Sequence, residues 1–293
     1  MIISFLNLLI ISSKSSTCYN GQLLIPEGTT EIADYEYENC PNFTGPLIIP
    51  ETVTSIGTNA FYGCSGFSGD LILPNSVKTI KAGAFYGCSG FSGELTISNS
   101  IETIETNTFF GCSGFYGNLT IPSSVKKIEN DAFNGCSGFN GSLTFSEGIE
   151  SIGERAFKQC SGFSCTLEIP NSVKTVENDT FFNCSKFFGD LTIPDSVSEI
   201  KSGAFKGCKG FNAKLTLSNS TLSIGSEAFK DCSGFSGKLI IPSGNKIIEN
   251  GAFFNCKSFD ELIISDSVES IGFDSFKFCS GLFGSLTIPL TIK

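Results

Sequence analysis

Eleven cysteines fall on one period: Cys40, Cys64, Cys88, Cys112, Cys136, Cys160, Cys184, Cys208, Cys232 and Cys256 at intervals of 24 residues, then Cys279 after 23. A fixed period of this length marks one short unit copied end to end and stacked as a solenoid. Such a core grows lengthwise, so residues 18–293 are expected to form a single continuous domain rather than two globular ones.

Aligned on their first Leu, the units read L-x-I-P-x-S-V-x-x-I-x-x-x-A-F-x-G-C-S-G-F-x-G-x, eleven of them and a partial twelfth. Leu and Ile two apart, as at Leu119 and Ile121, follow the strand period and point inward while Asn118 and Thr120 point outward. The Pro that follows in eight units lacks an N–H and fixes φ, so it ends the ladder and turns the chain. Val125 and Ile128, then Ala132 and Phe133 before Cys136, predict a short extended piece followed by a single helical or 3₁₀ turn on the convex side. The glycines of Ser137 to Gly141 mark the bend back toward the next strand. The expected fold is therefore a β-rich right-handed superhelix with a parallel main sheet. In-register strands about 4.8 Å apart would set each Leu, Phe and Cys on its own copy above and below.

The L-x-I-P, S-V-x-x-I and A-F-x-x-C signature resembles the cysteine-containing leucine-rich repeats of BspA-like surface antigens, over residues 19–293. These units are longer by one residue than the family's common form, the addition falling in the Phe-x-Gly-x stretch. The resemblance implies a leucine-rich-repeat solenoid, secreted or at the cell surface, that engages a surface or matrix protein of a host or neighbouring cell. No catalytic residues belong to the family, so none are carried over.

Residues 1–17 are apolar from Met1 to Ile11 apart from Ser4 and Asn7, then small and polar. They read as a secretory signal peptide, the other reading being an apolar cap for the solenoid. About ten apolar residues are too few to span roughly 30 Å of hydrocarbon as a helix. Beyond residue 18 no segment has the length and apolarity of a membrane span.

Chemistry is tightly constrained. The chain has no His, and no Gly-x-Ser-x-Gly elbow or phosphate loop, which argues against an enzyme. Its net charge of −10 disfavours nucleic acid and anionic membranes. Zinc would need short Cys pairs, and C-x₂-C is absent, so no metal or cofactor is expected. The cysteine column reads first as reduced, buried thiols, with rung-to-rung disulfides as the alternative. Two cysteines stand outside it and are the better candidates for a disulfide or for free thiols. Cys18 precedes the first full unit and is placed to pair with Cys40; Cys165 replaces the bend Gly of its unit.

Function is expected in the outward column beside the main-strand Leu: Ile48, Ile72, Thr96, Thr120, Thr144, Glu168, Thr192, Thr216, Ile240 and Ile263, with Leu24 before them. A Thr ladder invites an ice-binding reading, but Glu168 interrupts it and β-branched residues suit any exposed pleat. Apolar residues outward at both ends point instead to a protein-binding face. The rival is a structural or self-associating element. The chain stops eight residues into its twelfth unit, with Leu286 and Ile288 in core columns and no polar cap, which suits end-to-end association or a fragment of a longer surface protein.

Overall fold

The computed structural model describes residues 18–283 and 290–292. The leader-like segment 1–17 and the core-column residues Leu286 and Ile288 lie outside the described residues. The chain winds as a parallel β-solenoid in which each strand pairs with its own copy one unit along, as Leu191 with Leu215 and Thr192 with Thr216. Two short strands recur in a coil. The main strand carries the L-x-I residues and pairs two by two: Leu71–Ile72 with Leu95–Thr96, Leu119–Ile121 with Leu143–Phe145, Leu191–Thr192 with Leu215–Thr216, and Gly237–Ile241 with Phe259–Ile264. The second strand ladder runs longer, reaching five strands from Thr175–Val176 to Ser270–Ile271. Where Pro occurs it ends the main strand, as Pro242 does after Gly237–Ile241, while Leu95–Thr96 and Leu215–Thr216 are as short ahead of Ser98 and Ser218.

The convex side corrects the expectation of a helical or 3₁₀ turn: among the described residues there is no helix. Each coil instead makes overlapping turns. Up to Cys256 the even-numbered amides bond back three residues within the coil, as Ala60 to Gly57, Tyr62 to Asn59 and Cys64 to Phe61. Odd-numbered amides reach the next coil, Asn59 to Ala82, Phe61 to Ala84 and Gly63 to Tyr86 at 2.7–3.0 Å. This triple bridge repeats at every junction from Tyr35 to Lys277, and so forms the continuous spine that the sheets do not. Its geometry demands a left-handed residue at two positions four apart, such as Asn107 (φ 59°) and Gly111 (φ 70°). Gly, Asn and Asp dominate both columns because they enter that region at low cost. The middle Gly of Ser-Gly-Phe has a different cause, since a Cβ on Gly114 would lie 2.1 Å from the Phe91 carbonyl oxygen of the preceding coil.

Two Phe columns fill the core. One runs through Phe61, Phe85, Phe109 and Phe133 to Phe276, the other from Phe43 through Phe139 to Phe259, with neighbouring rings mostly parallel and 4.9–6.1 Å apart. The cysteines sit beside them. From Cys64 to Cys279 the ladder thiols are free and buried, and each donates to the carbonyl of the aromatic residue in the coil before, as Cys136 Sγ to Phe109 O at 3.0 Å. That same carbonyl accepts the N–H of Cys112 in its own coil. A thiol is thus more than a small apolar filler here, because it satisfies a second lone pair of a buried backbone acceptor. Cys40 differs from the other rungs and is joined to Cys18 in a disulfide. Closing a loop of 22 residues removes about 3 kcal/mol of conformational freedom from the unfolded chain in the chain-entropy picture.

Candidate functional site

Strand alternation sends Leu23, Leu47 and Leu71 into the core and leaves the next residue of each coil on the surface. The outward column is accordingly aligned on one face. Leu24, Ile48 and Ile72 expose 61%, 59% and 58% of their surface at one end, and Ile240 and Ile263 expose 42% and 41% at the other. Thr96, Thr120, Thr144, Glu168 and Thr192 between them are exposed, while Thr216 is half-buried. Main-strand pairing brings Ile72 beside Thr96, Thr120 beside Thr144, Thr192 beside Thr216, and Ile240 beside Ile263. It does not join Glu168 to either neighbour in the column.

That break lies at Cys165. Where the main ladder holds, the amide of the main-strand Leu takes a carbonyl from the next coil, as Leu119 does from Ser142 at 2.8 Å and Leu191 from Lys214 at 2.9 Å. The Leu143 amide instead donates to Cys165 Sγ at 3.4 Å. The second ladder also lapses here, between Ser151–Ile152 and Thr175–Val176, the one junction among the described residues where both do. Backbone bonds still cross on the convex spine, through Arg155 to Asn178, Phe157 to Thr180 and Gln159 to Phe182, and at the bend, from the Phe188 amide to the Cys165 carbonyl at 3.0 Å. The sheet side opens into a cleft of about 640 Å³ lined by Leu143, Phe145, Glu147, Cys165, Glu168 and Asn171 among others. A second trough of about 850 Å³ continues it over the next two coils, sharing Glu168 and Asn171 and adding Asp190, Thr192, Asp195 and Thr216.

Sequence reasoning placed the outward column but missed this cleft and the contribution of Asp190 and Asp195, which flank the strand at its start and after its Pro. The signal was present in Cys165, a large side chain where other coils bend on Gly or Ala. Among the described residues no group of three or more His, Cys, Asp or Glu is placed to hold a metal ion. No helix of the described residues is long and apolar enough to cross a membrane.

Burial pushes every free ladder thiol above its ordinary value, Cys64 and Cys279 to about 11 and the others further, so the neutral form persists in the fold. Half-buried Cys165 is also raised by burial. Treating the native chain with N-ethylmaleimide is expected to label Cys165 alone, and denaturation without reductant to label all eleven free thiols while sparing Cys18 and Cys40. Peptide mass mapping reads this directly; native labelling along the ladder would contradict the buried column.

The sequence matches the BspA type Leucine rich repeat region family in segments 30–116, 115–236 and 187–293. No curated protein matches it. Among solved structures it is similar to a leucine-rich repeat protein from Bacteroides ovatus, at 22% identity and TM-score 0.67, covering 88% of this chain and 70% of that one. It is also similar to a leucine rich cell surface protein from Faecalibacterium prausnitzii, at 23% identity and TM-score 0.52 over 90% and 86% of the two chains. The pneumococcal vaccine antigen PcpA shares the fold at 17% identity and TM-score 0.55, over 90% and 70%. At these identities the likeness speaks to architecture.

Proposed function

We propose that this chain, which belongs to the BspA type leucine-rich repeat family, is a secreted or cell-surface recognition protein that binds another protein through the outward face of its main strands. The observation that carries this reading is the line of exposed aliphatic side chains, Leu24, Ile48 and Ile72 at one end and Ile240 and Ile263 at the other. Single exposed apolar residues are ordinary, but repetition in register on a rigid sheet makes a row that a partner can cover. Stacked repeats present such extended surfaces with little ordering cost, because the backbone is already held by its neighbours. Placement outside the cell rests on the leader-like residues 1–17 and on the family. The Cys18–Cys40 disulfide is compatible with an oxidising compartment.

The experiment is a binding measurement against a panel of immobilised extracellular-matrix and cell-surface proteins. The variant carrying Ile48→Ser, Ile72→Ser, Ile240→Ser and Ile263→Ser is expected to lose roughly tenfold or more in affinity for the partner that the native chain binds. Its circular dichroism should be unchanged, since all four side chains are exposed. Undiminished binding by a folded variant would remove this face from consideration.

A further inference from the structure

We propose that the partner is a cationic protein whose Lys and Arg side chains lie along the acidic sheet face, centred on the cleft between the Leu143 and Leu167 coils. This rests on the protein-binding reading above and names the chemistry of the partner.

The argument begins with where the charges fall. Three columns form the face: the residue before the main-strand Leu, the outward residue after it, and the residue that follows the Pro position. Asp190, Thr192 and Asp195 represent them in one coil, and all three line the same trough. From Gln22 to Asp266 these columns hold ten carboxylates and two lysines, a net −8 of the chain's −10. The remainder of the molecule is nearly balanced, so the excess belongs to one side.

Several of the chain's own cations are engaged elsewhere, while Lys214 stands exposed on the face itself, next to Asp190. Lys158 pairs with Asp179, Lys201 with Glu177, and both Lys206 and Lys230 with Glu227, all away from the face. Of the two face lysines, Lys238 already pairs with Glu261. At the centre the carboxylates of Glu147, Glu168, Asp190 and Asp195 are exposed and have no ion pair among the described residues. Asp190 Oδ1 accepts the Lys214 amide at 2.7 Å and Asp195 Oδ1 accepts the Ser218 hydroxyl at 2.8 Å, bonds that fix the two carboxylates without neutralising them. Lys126 stands at the rim, its Nζ over Gly148.

Like-signed charge along a recessed surface focuses its field outward and draws in the opposite sign. A second copy of the chain is a poor occupant, because packing face on face would set the same excess against itself, with Glu168 near the middle of the column meeting its counterpart. Anionic lipid and nucleic acid are repelled for the same reason. A cationic protein satisfies both parts of the face, since Lys and Arg stems also cover apolar surface beside the aliphatic ends.

The probe is a short fluorescein-labelled peptide of alternating Lys and Val, titrated into the full chain by anisotropy at about 50 mM and about 200 mM salt, where screening differs strongly. A matching Glu and Val peptide is the charge control. One variant carries Glu147→Gln, Glu168→Gln, Asp190→Asn and Asp195→Asn, which keep the acceptor oxygens. A second carries Glu31→Gln, Glu102→Gln, Glu150→Gln and Glu199→Gln, removing equal charge at the first position of the second strands and the position just before it. Expected are binding of the Lys peptide that weakens with salt, a loss of roughly tenfold in the first variant and less than about twofold in the second, and no binding of the Glu peptide. Equal losses in both variants, or equal binding of both peptides, would overturn the proposal. Neither result touches the aliphatic-row experiment, in which loss of protein binding by the Ser variant would leave the broader reading standing.

Discussion

Between pH 9 and about 11 the solenoid is expected to lose most of its stability and unfold. Ten ladder thiols from Cys64 to Cys279 are free and buried, and burial raises each above the ordinary 9.0. A group whose value is raised by folding stabilises the fold fully below its unfolded value. As pH rises past 9 the unfolded chain releases protons that the folded chain keeps, and the equilibrium moves toward the unfolded side. Linkage puts this at about 1 kcal/mol per thiol between pH 9 and 10, or about 10 kcal/mol for ten, comparable with the whole net stability of an ordinary domain. Loss of surface Lys ion pairs over the same range adds little. Unfolding should begin toward the two ends, where a terminal coil has a stacked neighbour on one side only. Circular dichroism followed through an alkaline titration checks the result, and full structure retained well above pH 11 would refute it.

Phe133→Ala is expected to cost about 3–5 kcal/mol and to divide the solenoid into two unfolding units. Phe133 is fully buried, and its ring stacks 5.3 Å from Phe109 and 5.4 Å from Phe157. A solenoid couples each coil only to its neighbours, so a defect near the middle separates the halves rather than weakening all coils alike. All six tyrosines, Tyr19, Tyr35, Tyr37, Tyr62, Tyr86 and Tyr116, precede the substituted coil, and the chain has no Trp. Tyrosine fluorescence therefore reports the first half while circular dichroism reports the whole. In urea the two signals should part company in the variant and coincide in the native chain. Coincident transitions at the native midpoint would show that the Phe column does not transmit stability.

Much of this molecule is legible in its sequence. The repeat placed Phe133, Cys136 and Leu143 inward, because a period of 24 with strand alternation leaves each letter one orientation. The outward line of Ile48, Ile72, Ile240 and Ile263 followed from the same rule. The convex segment was less transparent. Ala132 and Phe133 near Cys136 suit a helical turn by spacing, yet Asp131 and Gly135 both adopt left-handed backbone and send alternate amides to the next coil. The recurrence of Asn, Asp and Gly four apart was the available clue. Its meaning depends on a neighbour 24 residues away, outside the reach of local propensity.

By itself, then, the sequence determined the repeat, the fold and the inward or outward fate of each column, since those follow from local stereochemistry copied eleven times. Only the tertiary structure decided where the ladders hold and where they lapse. A coil-to-coil hydrogen bond requires two segments to meet within about 3 Å, and at the junction where both ladders lapse the Leu143 amide meets the Cys165 thiol at 3.4 Å instead of a carbonyl. It also gathered Glu147, Glu168, Asp190 and Asp195, from three columns and three coils, along one recessed surface. Their shared field arises from distance in space, which the linear order of residues does not contain.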